Sequence, residues 1–381
     1  MDRTQDAGRS GEARPPAPDG RDSRSLARLV LGFAVAAVAL SGRMGKPRPV
    51  PARTDEAPPL PADRRELRAG QQATSPTEIP ARGWWAVLKR VWHQNNKDNM
   101  SIVAAGCAFY ALLSLFPGVT ALVSIYGIVA DPGQVGQQVE AMRGVLPNEA
   151  VDLVATQAQQ VASGSTGVLG WSAAIALAFA LYTVSTGVRT LFTALNIAYE
   201  EEETRSFVGF YATAFLFTVG AILAVIVGLG VIIGVPAVLS YLPLGPLAEW
   251  TVRIASWLIL VTALIGGLAV IYRYGPSRSS AQWRWLTPGA ILATVLWLLA
   301  SAAFSFYVAN FASYNETYGT LGGVIILLMW LYISAFVILL GAELNAELEL
   351  QTAQDTTTGP PQPMGQRQAY AADHTAETRT R

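Results

Sequence analysis

Between residues 100 and 341 the chain has 242 positions, no lysine and 17 charged side chains. A soluble domain carries about 25% charged residues, and a stretch this depleted suits a lipid solvent, where each charge is costly unless it faces a partner or water. Six apolar runs divide the stretch, at about 101–130, 168–188, 207–235, 254–272, 288–309 and 321–342. Each is long enough for a helix to cross roughly 30 Å of hydrocarbon. No segment shows strand-like alternation of useful length, so the expected class is all-α: a six-transmembrane-helix bundle.

The flanks of these runs set an expected orientation. Lysine and arginine number four in 82–99, two in 189–206 and three in 273–287, against one each in 131–167 and 236–253 and none in 310–320. The nine-to-two bias puts both termini in the cytoplasm by the positive-inside rule. Before the first run, Trp84, Trp85, Leu88, Val91 and Trp92 share one side of a helical period, and Lys89, Arg90, His93 and Lys97 share the other. Such a helix suits the headgroup plane, with packing against protein as the structural alternative.

The domain organisation expected is a tail over 1–82, a membrane domain over 83–350 and a second tail over 351–381. Residues 1–80 contain 23 charges and 11 prolines, too little apolar surface to offset chain entropy, and 351–381 are rich in Gln, Thr, Pro and Gly; both tails are expected to be disordered. The apolar stretch 29–40 is too short to span a bilayer and reads as a weak interfacial segment. In the loop 131–167, a helix is expected to start near Pro147 and Asn148.

Enzymatic constellations are missing from the pattern. Cys107 is the single cysteine, and His93 and His374 are the only histidines, so no catalytic, cofactor-binding or metal-ligating set is expected. The formal net charge of zero points to no nucleic-acid partner. What remains are polar residues within or beside the spans, expected to face protein, water or headgroups. The candidates for a substrate path or gate are Pro117, whose ring removes a helix hydrogen bond, with Arg189, Asn196, Arg273, Asn310, Tyr314, Glu343 and Asn345. Glu343 could bind a cation or pair with Arg273, Arg278 or Arg284. A cytoplasmic clasp is expected between Glu201, Glu202 and Glu203 on one loop and Arg278 and Arg284 on another.

Read together, several phrases resemble one family. They are Ala104-Ala105 with Phe109-Tyr110 and Ser114-Leu115-Phe116-Pro117, then Ala194-Leu195-Asn196-Ile197-Ala198-Tyr199, Tyr272-Arg273-Tyr274-Gly275-Pro276, Pro288-Gly289-Ala290, Tyr314-Asn315-Glu316-Thr317-Tyr318-Gly319 and Gly341-Ala342-Glu343-Leu344-Asn345. The order and content resemble the YihY/virulence factor BrkB family of bacterial inner-membrane proteins, over about 84–349. The resemblance implies six spans and a place in the cytoplasmic membrane. Members of that family were once labelled ribonuclease BN, and others are linked to serum resistance and to export of lipid or lipopolysaccharide precursors.

A ribonuclease reading conflicts with the histidine count, and no phosphate loop for nucleotide binding is present. The expectation is therefore a non-enzymatic membrane protein, in contact with membrane lipid, that moves or helps move a lipid-like or amphiphilic, lipid-linked substrate. A scaffold that organises the envelope without transport is the alternative, and a lipid-acting enzyme a third. The sequence leaves a homo-oligomer open.

Overall fold

The computed structural model describes residues 69–129, 148–163, 171–239, 246–311 and 321–379. The expectations for 1–68, including the stretch 29–40, lie outside these residues. Helix α1 spans Ala81–Lys97, α2 Met100–Val129, α3 Asn148–Ser163, α4 Trp171–Ala198, α5 Phe207–Leu239, α6 Pro246–Tyr274, α7 Trp283–Phe311 and α8 Leu321–Glu349, followed by the short turns α9 (Tyr370–Asp373) and α10 (Ala376–Arg379). Among the described residues the only pairing of β type is a bridge between Ala281 and Thr357.

Five helices, α2, α5, α6, α7 and α8, are long and apolar enough to cross a membrane. The path of the chain supplies the sixth. The end of α1, the α4–α5 and α6–α7 loops and the segment after α8 all meet at one end of the bundle, through Gln94 to Glu200, Thr204 to Ser277, and Gln282 to Thr356. Since α2 leaves that end and α4 returns to it, α4, which is 28 residues long, traverses the bundle as well. Residues 69 and 379 consequently lie at the same end, because Ala353 donates to the Gln71 carbonyl and Ala376 to the Leu350 carbonyl.

α8 is central, packing on α1, α2, α3, α4 and α7. Lipid offers no hydrophobic drive for helices to associate, so close approach of small residues matters. Ala290, Ala293, Ala342 and Ala346 are buried between α7, α8 and their neighbours. Gly289 and Gly341 bring the two backbones into contact, with no room for a side chain at either. The indoles of Trp297 and Trp330 donate across this pair to Ser334 (2.9 Å) and Ser301 (3.2 Å), which satisfies buried polar groups that lipid could not. On the other side of the bundle, Gly187 of α4 lies against Ser114 of α2. Gly228 and Gly230 of α5 face open space, with nothing within 4 Å of where a side chain would start.

α2 runs through Pro117 as one helix. α1 docks on protein, burying Val87 and Val91 against Trp285, Leu344 and Leu348, and leaves Trp85, Leu88 and Trp92 exposed on its other side. One expectation changes: residues 351–379 are folded against the end of the bundle. Arg367 organises this segment by donating to the carbonyls of Ala353, Gln354, Gln362 and Ala372, and Thr352 and Thr356 are buried beneath it. Composition predicts disorder because it counts apolar burial; here hydrogen bonds to one guanidinium order the chain.

Candidate functional site

The polar end of the bundle collects most of the ionisable side chains of the described membrane domain. α4 and α8 continue past the expected span ends, by about ten and seven residues, into this region. The last turns of α8 carry Glu343 and Glu347 on one face and Asn345 and Glu349 on the opposite face, a consequence of their i, i+4 spacing. All four are buried. α1, the α4–α5 loop, the α6–α7 loop and the C-terminal segment surround them.

Each of three carboxylates has defined partners. Glu349 receives a two-pronged contact from Arg278, at 3.1 and 2.6 Å, and a hydrogen bond from Thr356 at 2.6 Å; Arg278 also lies over the Tyr199 ring. Glu347 accepts from Arg90 on one oxygen, at 2.6 Å, and from Arg379 on the other. Glu200 accepts from Gln94 at 2.7 Å and from Arg379. Glu200 has a left-handed backbone (φ 54°) just after α4, a costly conformation outside glycine and asparagine that this network holds in place.

Glu343 differs. Its side chain is 1% exposed, and neither carboxylate oxygen has a hydrogen-bond partner. Among the described residues no arginine pairs with it, so the expected contacts to Arg273, Arg278 and Arg284 are not formed. Close by, the Asn345 amide nitrogen faces the Tyr199 hydroxyl without a well-formed hydrogen bond, while the Asn345 oxygen accepts from the Gly289 N–H at 2.8 Å. Asp98, at the end of α1, is raised to about pKa 6 by burial, with the Gln94 hydrogen bond acting against the shift and Glu200 adding to it.

The expected clasp forms in altered shape. Arg278 reaches Glu201 only at 4.0 Å, because Glu349 occupies its donors. Glu202 is exposed. Glu203 pairs with Arg205 at 2.7 Å and accepts from Asn196 at 3.0 Å, which holds its carboxyl below the usual range despite part burial. Arg284 turns to Gln282 and is exposed. The two loops are joined instead by Asn196, which accepts from the Ser277 N–H at 2.8 Å, by Thr204 on Ser277, and by Arg205 on the Gly275 carbonyl. Arg273 donates to the Ala281 carbonyl and lies over Trp283.

Arg189 stands apart from this network, within α4 and nine residues before its end. Its guanidinium donates to Thr186 Oγ1 at 2.6 Å and to the Ser185 carbonyl at 3.3 Å, and lies over the rings of Tyr182 (5.2 Å) and Tyr211 (4.1 Å). Among the described residues no carboxylate comes within salt-bridge distance. Tyr182, Thr186, Arg189 and Thr193 follow a 4-3-4 spacing along one face, where Tyr182 and Thr193 are exposed. Asn310 lies on α7, but its side chain is outside the described residues, as is all of Tyr314.

Glu347, Glu349, Arg90 and Arg379 escape a residue-by-residue reading of the sequence. The signal was the pair of i, i+4 spacings in 343–349, which places an acidic group on both faces of an apolar helix. Their arginine partners are 257 and 32 positions away in the case of Glu347, beyond any local pattern.

A bundle of six traversing helices, five of them apolar along a membrane's thickness, defines a polytopic helical membrane protein. The chain belongs to the virulence factor BrkB family, whose model matches residues 91–365. It is 31% identical over 272 residues to a Bacillus subtilis (strain 168) protein, YfkH, named for a likeness to ribonucleases; the match covers 68% of this chain and 94% of that one. It is 26% identical over 270 residues to the UPF0761 membrane protein IL2447 of Idiomarina loihiensis, covering 69% and 90%. A UPF0761 membrane protein of Tolumonas auensis is 40% identical over a shorter stretch of 84 residues, 22% of this chain and 28% of that protein. No solved structure matches.

Proposed function

We propose that this protein moves, or helps move, a lipid-like or amphiphilic envelope substrate across the bacterial cytoplasmic membrane, with the polar end of the bundle in the cytoplasm. The observation that carries the reading is Arg189. Arg189 lies within α4, where it bonds back to Ser185, Thr186 and the Tyr182 ring and lies over the Tyr211 ring of α5 at 4.1 Å. A cation held within the helix with no carboxylate in salt-bridge distance among the described residues, beside the exposed hydroxyls of Tyr182 and Thr193, offers the headgroup of an amphiphile a polar path while its apolar part remains in lipid. Asn196 and Arg273 fix the loops at the end of that path.

With Arg189 set aside, Lys and Arg still divide eight to two between the two sets of flanks, which supports the cytoplasmic placement. Reporter fusions after residues 280 and 355 should read inside, and after 160 and 315 outside; an inside result at 160 would overturn the topology. For transport, the purified chain in vesicles should accelerate leaflet exchange of fluorescent lipids, and Arg189→Gln should lower that rate about tenfold or more, equivalent to losing roughly one charged contact. Equal rates in empty vesicles and in vesicles with the protein would refute it for those lipids.

A second reading, a non-transporting scaffold, is favoured by the paired carboxylates Glu347 and Glu349, which look built to stay closed. It predicts that Arg189→Gln leaves every membrane readout unchanged. A nuclease, which the name of the Bacillus relative suggests, would need a metal-binding or general-base cluster, and among the described residues no group of three His, Cys, Asp or Glu is placed to hold a metal ion.

A further inference from the structure

Two glutamates on the same face of α8, one turn apart, receive opposite treatment. Glu347 has a guanidinium on each oxygen, from Arg90 and Arg379. Glu343 has no donor on either oxygen and is shielded from solvent. The charged groups that act on it most strongly are the carboxylates of Glu347, Asp98 and Glu200, with Arg379 the cation among them. Arg379, from the C-terminal segment, is already committed to Glu347 and Glu200, and Arg90, from α1, to Glu347. The Tyr199 hydroxyl, just after α4, is the neutral titratable group in its field. An ionised carboxylate in such a place would lack hydrogen bonds and a counter-ion of its own, and would stand in the field of three others of its own sign. The same group with its proton in place is neutral and tolerable.

We propose that Glu343 is a buried proton-binding site at the polar end of the bundle. In this arrangement Glu343 is a carboxylic acid. Release breaks its O–H bond, passes the proton to water and leaves a carboxylate, and uptake is the reverse. If the transport reading holds, the site also couples substrate movement to a proton; that clause rests on the reading above, whereas the proton site does not.

Infrared difference spectroscopy on the full chain in nanodiscs tests the site without any transport assay. At about pH 7, where an exposed glutamate is ionised, the wild type should show the carbonyl band of a protonated carboxylic acid. Glu343→Gln should lose that band and keep its melting temperature, since a neutral amide replaces a neutral acid of the same shape. A wild-type spectrum without the band, or one unchanged in Glu343→Gln, would overturn the site. Loss of the fold in Glu343→Gln would overturn it too, by showing that the ionised carboxylate belongs to the structure. In vesicles that move substrate, a rate unaffected by a pH gradient would overturn the coupling and leave the site standing, and vesicles that move none would count against the transport reading alone.

Discussion

The Arg278–Glu349 pair should dominate the stability of the polar end, and removing one partner tests this directly. Both side chains are almost completely buried, at 1% and 0% exposure. Their contact is two-pronged, and Thr356 fills a further acceptor site on Glu349. In Glu349→Gln the shape persists while Arg278 loses its nearest counter-ion and keeps Glu201 at 4.0 Å and the Tyr199 ring. Breaking a buried pair from one side costs about 3–5 kcal/mol, and the remaining Glu201 places this case near the lower end. At roughly 2–4 °C per kcal/mol, the melting temperature in detergent should fall by about 6–12 °C. Arg278→Met should cost a similar amount, because it strands Glu349. The double variant should recover most of the loss, since an apolar side chain and a neutral amide need no counter-ion. Single losses under about 1 kcal/mol would refute the reasoning by showing that water reaches the pair, and additive losses in the double variant would show that the two groups are not energetically coupled.

Three further outcomes follow from particular contacts. Gly289→Ala would put a Cβ 2.1 Å from the Gly341 carbonyl and 2.4 Å from Asn345 Oδ1, forcing α7 from α8 at about 3 kcal/mol or more; Gly220→Ala, with nothing within 4 Å, should be neutral, and equal melting temperatures for the two variants would contradict the close crossing. Asp98 binds its proton more tightly in the folded chain (pKa about 6) than its reference value of 3.8, so its contribution to stability is greatest below about pH 4, declines as pH rises to about 6 and is level above; melting curves of Asp98→Asn should lack that decline, and an identical pH profile would remove Asp98 as its source. Arg367→Ala leaves four carbonyl groups without their donor, and limited proteolysis should then cut within 351–379 faster than in the wild type; unchanged cleavage would mean that the segment is held by its other contacts.

The positions of the membrane helices were legible in the sequence because lipid imposes a single requirement, an apolar run of sufficient length with its backbone hydrogen bonds made internally, and that requirement is local. The starts of α3 at Asn148 and of α5 at Phe207 fall where the sequence places them. Asn196 and Glu343 were legible too, as polar residues where apolar ones are expected. What the sequence could not decide is which charges meet. Arg278 has carboxylates from two segments within reach, and only packing directs it to Glu349 rather than to the glutamates of the α4–α5 loop. Order in 351–379 was equally hidden, because it depends on Arg367 finding four carbonyls and Arg379 finding Glu347 across the fold. The isolation of Glu343 is likewise a tertiary result: two guanidinium groups near the end of α8 are taken by Glu347, one turn away, and nothing in the order of the residues says which of the two carboxyls they choose. Hydrophobic length is a property of a segment and can be read from it; a hydrogen bond or ion pair between distant residues is a property of the packed chain, and exists only once the helices have set the distances.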